Sequence, residues 1–156
     1  MSSEEAKELI QRAFADTPHP GNGREDLAVE IYDDEGTTEH FRFTKWEDHS
    51  VEQLRQHCSS LGFFTGPAFR YFLPAYMIAE LDDPKSADVI GESIEYFLTE
   101  KPSHKKKRLA VSERGELFNQ DERLAIAAFL EVMFDRYPSQ RTMSTLEAWN
   151  QWRDAE

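Results

Sequence analysis

The run Phe63-Phe64-Thr65-Gly66-Pro67-Ala68-Phe69-Arg70-Tyr71-Phe72-Leu73-Pro74-Ala75-Tyr76-Met77 concentrates aromatic and aliphatic mass in fifteen residues. Its signals are those of a buried helix. Thr65 or Gly66 stands at the cap, and Pro67 falls in the first turn, where its missing N–H costs nothing. Pro74 lies in the interior, removes the donor for the Arg70 carbonyl and crowds that turn, so the reading predicts a kink or break at Leu73-Pro74. Phe69, Phe72 and Leu73 then face one set of neighbours, and Tyr76, Met77 and Leu81 another. The block is core, with room for Tyr71 or Tyr76 to reach an interface.

Working outward, Ser2 or Ser3 caps a helix striped by Ala6, Leu9, Ile10, Ala13 and Phe14. It ends at the Pro- and Gly-rich run 16–23. Alternation over 25–32 allows a short strand. An acidic turn, Asp33-Asp34-Glu35-Gly36, precedes an aromatic stretch, 39–46, that suits a helix or irregular packing. Ser50 and Gln53 form a capping box, predicting a helix from Val51 to His57 with Val51 and Leu54 inward and a stop at Gly62. Ser86 opens a further helix with Val89, Ile90, Ile94, Phe97 and Leu98 on one face. Residues 101–108 read as a basic loop, and 109–111 as briefly extended. Asn119 caps a nearly all-apolar helix to Tyr137, the expected central helix. Met143, Leu146, Trp149 and Trp152 stripe the last one. The whole reads as an all-α, single-domain fold over residues 1–156, with room for one small strand pair.

The chain of 156 residues has a formal charge of −12 and 31% charged residues. It is long enough to bury a core without disulfides or a metal. The single cysteine, Cys58, fits a reducing compartment. No stretch approaches the roughly 18 apolar residues of a membrane span, and the N-terminus lacks the features of a signal peptide, so a cytoplasmic location is expected. Acidity argues against nucleic acid and anionic lipid as partners and favours a basic protein. The basic patch His104-Lys105-Lys106-Lys107-Arg108 has no interleaved aromatic, and reads as a solvated loop or a partner for the chain's own acidic surface.

The chemistry-bearing residues are weighed by spacing. Asp33, Asp34 and Glu35 with Glu39 and His40 lack the register of a calcium loop and read as a solvated acidic turn. His57 and Cys58 point about 100° apart on a helix, which disqualifies them as a base and nucleophile. His19, His40, His49, His57 and His104 contain no i,i+4 pair and read as scattered surface residues. Gly21-Asn22-Gly23 is a turn rather than a dinucleotide fingerprint. No catalytic residue, metal or cofactor is expected.

Ala13-Phe14 in the first helix, Pro20-Gly21, Trp46, the block from Phe64-Thr65 to Tyr76 around Leu73-Pro74-Ala75-Tyr76, and Gln120 with Phe129-Leu130 together resemble a family of small uncharacterised bacterial proteins, a domain of unknown function. The Leu-Pro-Ala-Tyr block is the most specific of these elements. The likeness spans roughly residues 6 to 133. Phe72 stands where the pattern has a second tyrosine, and the basic loop and the C-terminal tryptophan helix lie outside it. The resemblance implies a helical fold and no established activity. The charge, the small single domain and the absence of a catalytic set make the expected function a non-catalytic acidic interaction module, of inhibitor or immunity type, for a basic protein. Its candidate partner surface is Asp33, Asp34, Glu35, Tyr71, Tyr76 and Trp152. The alternative is an enzyme whose acid–base site the fold alone assembles. The oligomeric state is left open.

Overall fold

Three of the long helices begin at a side chain that accepts a hydrogen bond from an otherwise orphaned N–H, the arrangement that stabilises a helix start by about 1 kcal/mol. In the computed structural model, which describes residues 1–29, 33–99 and 116–154, Ser2 caps α1 (Ser3–Ala13), Thr65 caps α5 (Gly66–Asp82), and Asn119 caps α8 (Gln120–Arg136) through a capping box with Glu122. Four short helices, α2 (Arg24–Leu27), α3 (Thr37–Phe41), α4 (Val51–Gln56) and α6 (Pro84–Ala87), lie between the long ones, with 3₁₀ turns at Trp46–Asp48 and Cys58–Gly62. α7 (Ile90–Leu98) and α9 (Gln140–Asp154) complete the order. The described residues are all-α, with nine helices and no strand.

The long helices close on one another around a shared core. α1 packs between α5 and α8, α7 lies on α5, and α9 bridges α8 and α7. α1 contributes Ala6, Ile10 and Phe14, all fully buried, as its stripe predicts. α5 and α8 are apolar nearly all round, and Phe69, Phe72, Tyr76 and Phe129 are among the largest fully buried side chains. Two polar ties join these helices. Arg70 Nε donates to both oxygens of fully buried Glu122 (2.9 and 3.1 Å), which Thr17 Oγ1 also approaches. Arg136 donates to the Glu80 and Leu81 carbonyls, both at 3.2 Å. Trp149 is fully buried within its own chain and donates Nε1–H to the Leu98 carbonyl at 3.0 Å.

Several expectations are corrected. The break at Leu73-Pro74 does not occur: α5 runs through Pro74 without interruption. Residues 71–77 are all buried, and packing on every side outweighs the cost of one missing backbone bond, about 3 kcal/mol for a proline in an exposed helix interior. The helix expected from Ser86 is two elements, because Asp83 caps Ser86 N–H and starts α6 at Pro84, and Asp88 at φ +53° separates it from α7. α4 stops at Gln56, and the 3₁₀ turn at Cys58–Gly62 carries the chain on to Phe63. Of the strand expected over 25–32, residues 30–32 lie outside the described residues, and up to Val29 there is one helical turn, α2, then a single antiparallel bridge between Ala28 and Phe64. The Val29 N–H donates to the Phe63 carbonyl at 2.8 Å and the Thr65 N–H to the Leu27 carbonyl at 3.0 Å. This short extended contact replaces the strand pair. The basic loop at 101–108, the extended piece at 109–111 and the Trp152 side chain lie outside the described residues.

Candidate functional site

The acidic turn is built by its own side chains. Asp33 Oδ1 accepts the Glu35 N–H at 2.9 Å. Asp34 accepts from the Gly36 N–H (3.1 Å), the Thr38 N–H (3.1 Å) and the Thr38 hydroxyl (2.7 Å). Asp34 therefore anchors the start of α3. Burial works to raise its carboxyl, yet the Thr38 and Gly36 donors and the Arg24 charge outweigh it and hold the group below the usual carboxylate range. Asp33 and Glu35 remain exposed.

Tyr71 and Tyr76 are not surface residues. Tyr71 is 6% exposed and Tyr76 fully buried. The Tyr71 hydroxyl accepts the Trp46 N–H at 3.3 Å. The Tyr76 hydroxyl donates to the His57 carbonyl at 2.6 Å. Both phenols are thus spent on fixing the segment that carries α3 and α4 onto α5, and they drop out of the candidate partner surface. Of the six residues expected there, Asp33, Asp34 and Glu35 stand together at one turn.

The same segment assembles a group that linear spacing hides. His40 from α3, His49 after the first 3₁₀ turn and His57 at the end of α4 converge on the fully buried Phe41. The His40 and His57 rings stack at 3.8 Å with 15° between planes, and His49 lies 5.0 Å from His40. Phe41 meets the three rings at 4.7, 4.9 and 5.9 Å. Its other side contacts Phe72 at 4.8 Å and Phe64 at 5.1 Å. His49 Nε2 is paired with Thr44 Oγ1 at 3.0 Å, while His40 Nε2 is buried with no hydrogen-bond partner among the described residues. Burial first, and the neighbouring His57 and His49 second, push His40 down to about 4. Burial also lowers His57 and His49, the latter against the opposing pull of Asp48. The expected scatter of surface histidines is corrected for these three. Because two rings stack face to face, their nitrogens do not converge on a point. Among the described residues, no group of three or more His, Cys, Asp or Glu is arranged to hold a metal ion.

A second feature lies between α7 and α9. Glu92, Ser93, Tyr96 and Phe97 of α7 and Arg141 of α9 line an open cleft of about 270 Å³. Arg141 Nε donates to Glu95 Oε1 at 3.2 Å, and the Cys58 thiol donates to Ser93 Oγ at 3.0 Å. Burial pushes that thiol up, so it stays protonated and inert as a nucleophile at neutral pH.

The chain belongs to the family of unknown function DUF6714, whose model matches residues 2–156. The match takes in the C-terminal tryptophan helix and the basic loop, which the sequence likeness left outside. Neither the curated proteins nor the solved structures contain a match. Among the described residues, no helix is long and apolar enough to cross a membrane.

Proposed function

We propose that this chain is a non-catalytic interaction module whose acidic surface engages a basic protein, in the manner of an inhibitor or immunity protein. The observation that carries the reading is where the carboxylates point. Residues 1–100 hold eight Lys or Arg against twenty-one Asp or Glu. Among the described residues of that span, only Glu80 and Glu95 are buried carboxylates. The remainder make a field that a cationic surface would be drawn into. Asp33, Glu35, Glu39, Glu47, Asp48 and Glu52, all exposed, belong to the segment of α3 and α4. That segment is the proposed contact face.

The competing enzyme reading would place its chemistry in the cleft beside Tyr96. There Arg141 is already engaged by Glu95 and Ser93 by the Cys58 thiol, and the volume is below the range of about 300–1,000 Å³ usual for small-molecule sites. The interaction reading is tested by affinity capture from the native host followed by mass spectrometry, with binding of the recovered protein then measured by calorimetry. A basic protein that binds in purified form is the expected result. Recovery of the bait alone, or of partners without a cationic surface, overturns it.

A further inference from the structure

We propose that the histidine trio is an acid-responsive latch: protonation of His40, His49 and His57 pries residues 37–62 away from α5 while the rest of the helical body stays folded. The inference starts from packing. Two rings that can each gain a charge, His57 and His49, sit 3.8 and 5.0 Å from a third, His40, and all three press on one phenylalanine. Phe41 is the hub through which the segment reaches Phe64 and Phe72. Neutral imidazoles tolerate this contact as aromatic surface. Two or three imidazolium cations at the same separations repel one another in a setting that water screens only in part.

The surrounding charges do not offset that repulsion. Asp48 is the carboxylate that acts on the trio, through His49. Arg55 of α4 is paired with Asp88 beyond α6 at 3.1 Å, and α5 presents only the neutral phenols of Tyr71 and Tyr76. The 3₁₀ turn at Cys58–Gly62 presents the Cys58 thiol, which burial keeps neutral. On the side of α2, Asp34 and Arg24 act on each other, and the Asp34 carboxylate is already taken up by Thr38 and Gly36. Arg42 is turned towards Phe43, its guanidinium 5.0 Å over that ring, and its charge is not among those that act on the three imidazoles.

The segment is also built to yield first. α3 has five residues and α4 six, too short to persist without tertiary support. Hydrogen bonds at the Tyr71 and Tyr76 hydroxyls and the Arg55–Asp88 pair tie it to the helices beyond, while the Phe43 N–H to Asn22 Oδ1 and His19 Nε2 to the Thr44 carbonyl tie it to the N-terminal loop. The buried Thr37–Ser60 hydroxyl pair lies within the segment and does not hold it down. Besides Phe41 the segment keeps Trp46, Leu54 and Leu61 in the core, and the Phe41 contact is the part of that attachment on which the three imidazoles press.

Hydrogen–deuterium exchange on the full chain, from about pH 7.5 to about pH 3.5 and corrected for the intrinsic pH dependence of exchange, should be read beside an NMR titration of the imidazole protons. The expected result is that His40, His49 and His57 take up protons across one shared step. Across that step, amides in 37–57 lose about tenfold or more of their protection while those of 125–133 keep theirs. The triple substitution His40→Gln, His49→Gln and His57→Gln should abolish the step. Should that variant fail to fold, His57→Gln alone should make the dependence of protection on pH shallower, since one proton fewer is taken up. Titration of the three imidazoles with unchanged protection in 37–57 would overturn the proposal. So would loss of protection along the whole chain at once.

Discussion

Glu80 places its carboxyl against Gly91 and the tip of Met133, and its Oε2 has no hydrogen-bond partner among the described residues. A Cβ at Gly91 would come within 2.4 Å of Glu80 Oε1, so any larger residue there would push the carboxyl and the Met133 methyl aside. Burial, against the pull of Arg136 and with the push of Glu92, raises this carboxyl to about 7. In the unfolded chain it titrates near the ordinary glutamate value of about 4.3. The folded state therefore binds the proton more tightly, and the stability that this provides is full at acid pH and is lost as pH rises from there through about 7. Glu80→Gln removes the titration while keeping the shape. Urea melts at about pH 5 and about pH 8.5 should show the wild type losing on the order of 2 kcal/mol relative to the variant between them. A constant difference at both pH values would mean that the carboxyl is ionised throughout. The lowered histidines slope the other way, since their contribution is present above about pH 6.5 and falls as pH drops towards the value of about 4 reached by His40. The two slopes oppose each other between those limits, so the wild-type profile alone mixes them, and the variants are needed to separate them.

α8 is an element whose central place a single substitution can test, because Phe129 is fully buried and its neighbours Ala125 to Leu130 are all in the core. Phe129→Ala should destabilise the fold by about 3–5 kcal/mol, the usual cost of a buried aromatic truncation, and a chemical-denaturation midpoint equal to wild type would remove α8 from the centre. This helix was legible in the sequence because its determinants are local: Asn119 and Glu122 form its cap and the apolar run sets its length. The same holds for α1, α4 and α5, whose caps at Ser2, Ser50 and Thr65 sit where their residue types predict. What sequence misread depends on partners distant in the chain. Pro74 remains helical because residues contributed by other elements bury it, and Tyr71 and Tyr76 are internal because Trp46 and His57 backbone groups wait for their hydroxyls. The trio of histidines has no spacing signal at all, since each member comes from the end of a different short element and only the docking of those elements on α5 brings them together.

At the scale of the whole molecule the charge is divided unevenly, with −13 over residues 1–100 and six Lys or Arg against two Glu over 101–116. A field of that kind acts on an approaching basic protein before any contact forms, and salt screens it over about 8 Å at physiological ionic strength. Charges at an interface rim guide encounter more than they hold the complex, so they appear in the on-rate. The choice of residues matters here. Asp34 anchors α3 through Gly36 and Thr38, so neutralising it would confuse folding with steering, whereas Asp33 and Glu35 are exposed and an Asn at 33 still accepts the Glu35 N–H. With a purified basic partner, Asp33→Asn with Glu35→Gln should lower the association rate about two- to fivefold at low salt and leave dissociation nearly unchanged. The difference from wild type should shrink as salt rises, because both proteins then meet the partner without long-range attraction. Changes at Lys105 to Lys107 should have the opposite effect on association or none. Association insensitive to salt would place the contact on apolar surface instead, and Phe43, 74% exposed with the Arg42 guanidinium 5.0 Å over its ring, is the side chain at which to look for it.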